Sequence, residues 1–342
     1  MNSLRKVELS TISILKCLGI LVGAYFLWLV KEIIALLFVV LIIVATIEPI
    51  VSAMEKSSIP RVVGVSLVFL GVFLVLAAAF SVIIPPLIVQ VIALGEQFPT
   101  LIASAAPFFE TVSHDDIQEI LKAISSQLSQ FTSSFFTATA SIFGGAFAAI
   151  TVIVISFYML VDAKKNKDSL LLLVPNQYNK VVTRIVQRVG IKLGAWLRGQ
   201  ILLSFIIGVV SYIGLLILGV PFGGMPFALT LAVLAGLLEI IPFVGPIIAG
   251  LSAVIVAFTA GSWQLALAVF VFYVVIQQLE SHLLIPKMMS DAVGLSPVIV
   301  IIALAIGAQL AGIPGAALAV PIAAVLAVLI QDVPYIRKAI SR

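Results

Sequence analysis

Glu239 precedes Pro242, Gly245 and Pro246 in the string EIIPFVGPIIAG, a carboxylate set in an otherwise apolar stretch. An ionised carboxylate at bilayer depth costs about 2.5–3.5 kcal/mol on insertion scales, so it needs a partner, a cation or a proton. Three kinds of chemistry fit: ligation of a cation beside carbonyls freed by the prolines, uptake and release of a proton, or capping of the backbone at a hairpin tip. A second polar group, Gln277, Gln278, Glu280 and His282, ends a later apolar run and is followed by Pro286, Lys287 and Asp291. An interfacial position alone would explain some of these. Gln309 is a third candidate, and Arg198 and Gln200 open another apolar run. Arg198 either snorkels to the headgroups or pairs with an anion or a glutamate.

Other candidate chemistry is weaker. The run His114, Asp115, Asp116 has metal-ligand residue types, but acidic residues opening a helix are explained by capping and the helix dipole, so no metal is assigned. The single cysteine, Cys17, excludes a disulfide framework within one chain and reads as filler in a membrane helix. There is no H-E-x-x-H for an intramembrane metalloprotease, no serine with an obvious intramembrane base, and no Walker P-loop. An enzyme is not expected, nor a cofactor.

These residues must be held by elements that live in lipid. Of 342 residues, 62% are hydrophobic and 10% charged, against about 25% charged in soluble domains. Using about 20 apolar residues as the length that crosses a bilayer, full spans are predicted at 11–30, 33–53, 62–84, 138–160, 199–219 and 264–285. Between and after the last two, the apolar stretches are broken. Residues 226–241 and 245–260 flank Pro242, Gly245 and Pro246, while 297–311 and 314–330 flank the turn AGIPGA. Each half is short for a crossing, which predicts two broken or re-entrant helical hairpins.

Shifting the sequence by 71 lays Pro226 on Pro297, Ala232 on Ala303 and Gly236 on Gly307, and brings Gln309 within one position of Glu239's counterpart. Each hairpin follows one span, and by charge parity the two units start on opposite sides, so an inverted repeat is expected. Convergent membrane composition is the plainer explanation of the identities. Broken helices expose backbone N–H and C=O groups, tolerable at membrane depth only when buried in protein or lining a wet cavity. Two such breaks point to a binding site.

Charge sets the orientation, because Lys and Arg collect in cytoplasmic loops. Arg5 and Lys6, the loop from Glu55 to Arg61, and the segment from Lys164 to Arg198, with eight of the 19 basic residues, all fall on one side by parity. Residues 85–137 hold Lys122 against five acidic residues and fall on the other. Both termini are thus expected in the cytoplasm, with Arg337, Lys338 and Arg342 closing the chain. In the outer segment Ile117, Ile120, Leu121, Ile124, Leu128 and Phe131 recur at helical spacing. In the inner one Lys180, Arg184, Arg188 and Lys192 stand four apart beside a stripe of Val181, Ile185, Val189 and Leu193, the pattern of a helix docked on anionic lipid. Nucleic acid is not an expected partner of the net charge of +4, since the chain has no basic tail or aromatic platform.

The expected organisation is all-α and polytopic, with about six full spans and two hairpins. It divides into membrane helices at 1–84, an extracytoplasmic segment at 85–137, a span at 138–160, a basic cytoplasmic segment at 161–198, a core of two span-plus-hairpin units at 199–335 and a tail at 336–342.

The strings EIIPFVGP at 239–246, ESHLLIPKMMSDAVGLSP at 280–297 and GIPGAALAVPIAA at 312–324, in this order and spacing, resemble the autoinducer-2 exporter family of bacterial membrane proteins. IEPI at 47–50 and IPR at 59–61 add a little in the N-terminal half. The resemblance covers nearly the whole chain. It implies a homo-oligomeric secondary transporter of the bacterial inner membrane. The family is associated with signal export and with sodium- or lithium-proton antiport, so membership does not choose the substrate. Under antiport, Glu239 and the backbone of the tips, with Pro242, Gly245, Gly312 and Pro314, would hold a monovalent cation or proton. Under export, the same cavity would hold a small polar solute through Gln277, Gln309 and neighbouring carbonyls, with Gln278 and Glu280 alongside. Arg198, Arg184 and Arg188 would serve gating or face lipid. A passive channel-like facilitator and a non-transporting scaffold are the alternatives. The paired helix breaks disfavour a scaffold, which gains nothing from polar hairpins in a bilayer.

Overall fold

The computed structural model describes residues 11–79, 81, 85, 148–172, 174–242, 244–260, 263–284 and 294–340. The outer amphipathic pattern at 117–131, the His114-Asp115-Asp116 run, Arg5 and Lys6, and Pro286, Lys287 and Asp291 lie outside these residues. Among the described residues every element is helical, and five stretches are long and apolar enough to cross a membrane. The chain is an all-α, multi-pass membrane protein.

The first helices are α1 (Thr11–Leu29), α2 (Lys31–Lys56) and α3 (Arg61–Ala79), followed by α4 (Ala148–Val161) and α5 (Ala163–Leu172). Ile47 and Val51 of α2, Val65 of α3 and Leu160 of α4 form one apolar cluster. Arg61 pins the same junction. Its Nε donates to the Leu160 carbonyl, near the end of α4, at 2.6 Å. Its other nitrogens reach Glu55 at 3.0 Å and Glu48 at 2.5 Å, and Lys164 joins Glu55 at 2.6 Å. The strings IEPI and IPR are therefore in contact, Glu48 with Arg61.

The central strut is α6 (Asn179–Gly219), which packs on α2, on α7 (Ala228–Leu238), on α9 (Trp263–Leu279) and on α10 (Pro297–Ile340). At 1.5 Å per residue its 41 residues reach about 60 Å, twice the hydrocarbon thickness. It runs unbroken through Arg198, where the sequence suggests a boundary between a basic segment and a span. Composition changes there because the charges stop, while the helix continues.

The two predicted breaks are present. Helix α7 ends at Leu238 and α8 (Val244–Thr259) begins after a short turn. Their 11 and 16 residues reach about 16 and 24 Å, both short of the roughly 30 Å core. In α10 the backbone leaves the helical region at Ala311 (φ −145°) and Gly312 (φ 62°). The left-handed value at Gly312 is one that a side chain would resist. The arms 297–310 and 313–340 fold back on one another so closely that a Cβ on Gly307 would overlap the Gly315 carbonyl, and one on Gly315 the Gly307 carbonyl. A single helix by hydrogen bonding is thus a helical hairpin in space.

Helices α6 to α9 share the largest core, which includes Leu203, Ile207, Leu231, Ala253, Val269 and Ile276. Ile241, in the turn of the first hairpin, packs against Leu304, Ala316 and Ala319 of the second. The hairpins therefore meet at the tip of the first.

Candidate functional site

Helix α7 stops at Leu238 because Pro242 lacks an N–H and its ring disfavours a continuing helix. Glu239 is the cap residue, with near-helical φ −54° and ψ −21° and its N–H on the Ala235 carbonyl at 3.1 Å. The turn is closed by Ile241 N–H to the Leu238 carbonyl at 3.0 Å and by Gly245 N–H to the Ile241 carbonyl at 2.9 Å. Gly245 sits so near Leu238 that a Cβ would overlap its carbonyl, so a side chain there would push the two halves apart. Pro242 is half-buried at the tip.

The Glu239 carbonyl points out of the terminated helix and is taken by Gln200 of α6, whose Nε2 donates to it at 2.8 Å in a buried contact. An amide from another helix thus satisfies a backbone carbonyl of the turn. The Glu239 carboxyl turns inward. It is 1% exposed, and its Oε2 has no hydrogen-bond partner among the described residues.

Opposite it stands Glu280, also 1% exposed, whose carboxyl lies within hydrogen-bonding range of that of Glu239. Glu280 opens a turn of π-helix, Glu280–Leu284, at the end of α9. The wider turn rotates the chain so that a residue late in the span aims into the bundle, and such turns recur at functional sites. Gln277, half-buried one turn earlier, places its Nε2 at 3.5 Å from Glu280 Oε2. Two carboxyl groups in contact inside a protein cannot both stay ionised without compensation. Pairs of this kind in general share a proton or hold a cation between them.

One helix register higher, Tyr273 of α9 faces Ser211 of α6. The phenol and the Ser211 hydroxyl are buried, and neither completes a well-aligned hydrogen bond among the described residues.

Other candidates are placed elsewhere. Gln278 is exposed, and its carbonyl meets His282 Nδ1 at 3.0 Å. Gln309, Gly312 and Pro314 are exposed at the turn of the second hairpin. Arg198 donates to the Thr46 carbonyl of α2 at 3.1 Å. Arg188 pairs with Asp332 at 2.5 Å and reaches Gln331 at 2.8 Å, while Arg184 stands 3.5 Å from Asp332 and stacks on Tyr335 at 3.8 Å. The basic stripe of α6 is thus turned in part toward the end of α10. Sequence reasoning passed over Asp332, Tyr273 and Ser211. Only the spacing Tyr273, Gln277, Glu280, one helical face, could have signalled the second of these.

Relatives align with most of the chain. YueF and YrrI of Bacillus subtilis, each bearing a transport-protein name, are 29% and 28% identical over 296 and 316 residues, covering 82% and 88% of this chain and 78% and 87% of theirs. MT0215 of Mycobacterium tuberculosis, named likewise, is 29% identical over 289 residues, 82% of this chain and 77% of its own. Residues 15–334, all but the ends and with both hairpins inside, match the pattern of the AI-2E family transporter, and the chain belongs to that family of membrane transporters.

Proposed function

We propose that the chain is a secondary transporter that exchanges a monovalent cation, sodium or lithium, for protons at the Glu239–Glu280 pair. The observation that carries this reading is the meeting of two carboxyl groups, each 1% exposed, at the tip of a broken helix. A carboxyl pair can hold a proton or a monovalent cation but not both, and that competition is the elementary step of antiport. The Leu238 and Pro242 carbonyls of the turn each accept one N–H, from Ile241 and Val244, and keep a second lone pair of the kind hard cations take.

Export of a small polar solute through Gln277 and Gln309 is less well supported, because Gln309 is exposed at the far hairpin's turn while Gln277 lies beside Glu280. The same proposal carries the location: a bacterial cytoplasmic membrane, both termini cytoplasmic, with anionic lipid around the basic stripe and other copies of the chain as oligomer partners.

The test is proteoliposomes loaded with sodium or lithium, with internal pH followed by a dye. The unaltered chain should acidify or alkalinise the lumen as the cation gradient dictates, and Glu239→Gln and Glu280→Gln should each abolish the signal. Cation-independent flux, or full exchange by both variants, would sink the reading.

A further inference from the structure

Asp332 is the single acid of α6 and α10 together, whereas α6 alone carries Lys180, Arg184, Arg188, Lys192 and Arg198. The two helices pack antiparallel along this stretch. Val320 shares an apolar cluster with Leu193 and Trp196, while Asp332 reaches Arg184 and Arg188. From Trp196 to Arg184 and from Val320 to Asp332 the intervals are equal, about 18 Å at 1.5 Å per residue. The ion pairs fall where the apolar zone ends: α10 has no charged or amide side chain from Ile313 to Ile330, and Gln331 and Asp332 close that run. That is the boundary between hydrocarbon and water, where the phosphates of lipid lie.

Asp332 and its neighbours hold both guanidinium groups from the protein side. Arg188 Nη1 donates to Asp332 Oδ1 and its Nη2 to Gln331 Oε1, while Arg184 Nε stands beside the same Asp332 oxygen and its guanidinium lies over the Tyr335 ring. The two terminal nitrogens of Arg184 are not taken up among the described residues, and both arginines keep an exposed outer side. Lys180, exposed one turn before Arg184 on the same face, adds a third cation. One buried acid cannot neutralise the three. An arginine fork held in place is the side chain best matched to the oxygens of a phosphate.

The flank of the seam separates a lipid from a free anion. Ile191, 67% exposed, stands seven residues beyond Arg184 and therefore on the same face, about 10 Å toward the apolar zone. A ligand with an anionic head and acyl chains satisfies both levels at once, with its head on the arginines and a chain over Ile191.

We propose that Lys180, Arg184 and Arg188 bind the phosphodiester of an anionic phospholipid at the seam of α6 and α10, with Asp332 and Tyr335 as the residues that position the two guanidinium groups. The site rests on the chain's place in a bilayer and narrows the lipid contact of the proposed function from the whole basic stripe to this seam; it is independent of the exchange chemistry. The bound lipid ties the return arm of the second hairpin to the central strut, and as a ligand of the folded state it stabilises that state.

The test is the unfolding midpoint of the full chain in a neutral detergent, titrated with phosphatidylglycerol, phosphatidylcholine or inorganic phosphate. A saturable rise with phosphatidylglycerol is expected, and none with the other two. Arg184→Gln/Arg188→Gln/Asp332→Asn removes the cations without leaving the acid unpaired. It should need about 25-fold more phosphatidylglycerol for the same rise, since each basic residue near an anionic surface is worth about a fivefold change in affinity. Arg184→Lys/Arg188→Lys, which keeps the charge and loses the fork, should need several-fold more, and it carries the test if the triple variant folds poorly. Lys56→Gln/Lys165→Gln, exposed lysines of α2 and α5, removes two charges elsewhere and should respond as the unaltered chain does. An equal rise with phosphatidylcholine, an equal rise with inorganic phosphate, an equal loss in the Lys56/Lys165 variant, or an undiminished response in Arg184→Lys/Arg188→Lys overturns the proposal. These outcomes mean, in turn, unselective lipid, a free anion, and in the last two cases diffuse attraction. No flux enters this measurement, so loss of the exchange reading leaves its result untouched, and failure here leaves the carboxyl pair untouched.

Discussion

Gly194 of α6 lies directly against the backbone carbonyl of Ala45 on α2, and that carbonyl is the one whose helical N–H partner would have come from residue 49, a proline. The break in the hydrogen-bond ladder of α2 is therefore not left facing lipid. It is covered by a glycine that lets the helices close, and Arg198, one turn further along α6, donates to the adjoining Thr46 carbonyl. The contact explains why a proline is tolerated inside a membrane helix here.

A Cβ at position 194 has nowhere to go without moving one helix. Gly194→Ala should destabilise the fold by about 1–3 kcal/mol, the usual cost of overpacking, and Gly194→Val by more. Thermal unfolding in detergent reads this directly. Alanine with an unchanged midpoint would mean that α2 and α6 can separate freely, contrary to their packing.

Asp332 holds the end of α10 to α6. Its side chain is fully buried while Arg188 and Arg184 are 32% and 43% exposed, so the acid is the member that depends on the pairing. Asp332→Asn keeps the shape and removes the charge, and should cost about 1.5–3 kcal/mol, the range for a hydrogen bond to a charged group. Because Asp332 is buried, raising the salt concentration should change the unaltered protein's midpoint little. A strong salt dependence would show that the pair is more exposed than its geometry indicates.

Much of the architecture is legible in the sequence, since bilayer thickness imposes a length on apolar runs and proline with glycine interrupts them at recognisable strings. Both hairpin breaks fall where Pro242–Pro246 and Gly312–Pro314 place them. The length of α6 is not legible, because the charges stop at Arg198 while the helix runs on without any break signal. The site is legible by halves. Glu239 and Glu280 each stand out as acids in apolar surroundings, yet their meeting across 41 positions depends on the packing of α9 against α6 and on one turn of π-helix, neither of which leaves a periodic mark. Gln200 is likewise visible as a polar residue but not as the partner of a carbonyl 39 positions on.

That partnership makes a prediction of its own. Gln200→Leu matches the volume but leaves the Glu239 carbonyl unsatisfied inside the bundle, which should cost about 1–3 kcal/mol. The turn should also lose its fixed position, so exchange should weaken even though both carboxyl groups remain. Gln200→Asn, a shorter amide, should fall between the two. Normal exchange in Gln200→Leu would show that the tip is held by its own turn alone.

The carboxyl pair itself should trade stability for function. Two acidic groups pressed together without compensation oppose folding, whereas an amide in place of one can donate to the other. In buffer free of sodium and lithium, Glu239→Gln and Glu280→Gln should therefore unfold at a higher temperature than the unaltered chain. Added sodium should raise the midpoint of the unaltered chain, as a ligand of the folded state must, and leave the single variants unmoved. The double variant, with two amides and no charge to hold a cation, should also ignore sodium, and its loss of exchange should be no greater than that of either single change, since the two residues act as one site. Additive losses, or variants that sodium still stabilises, would mean that the cation binds elsewhere and that the pair serves only to shape the turn.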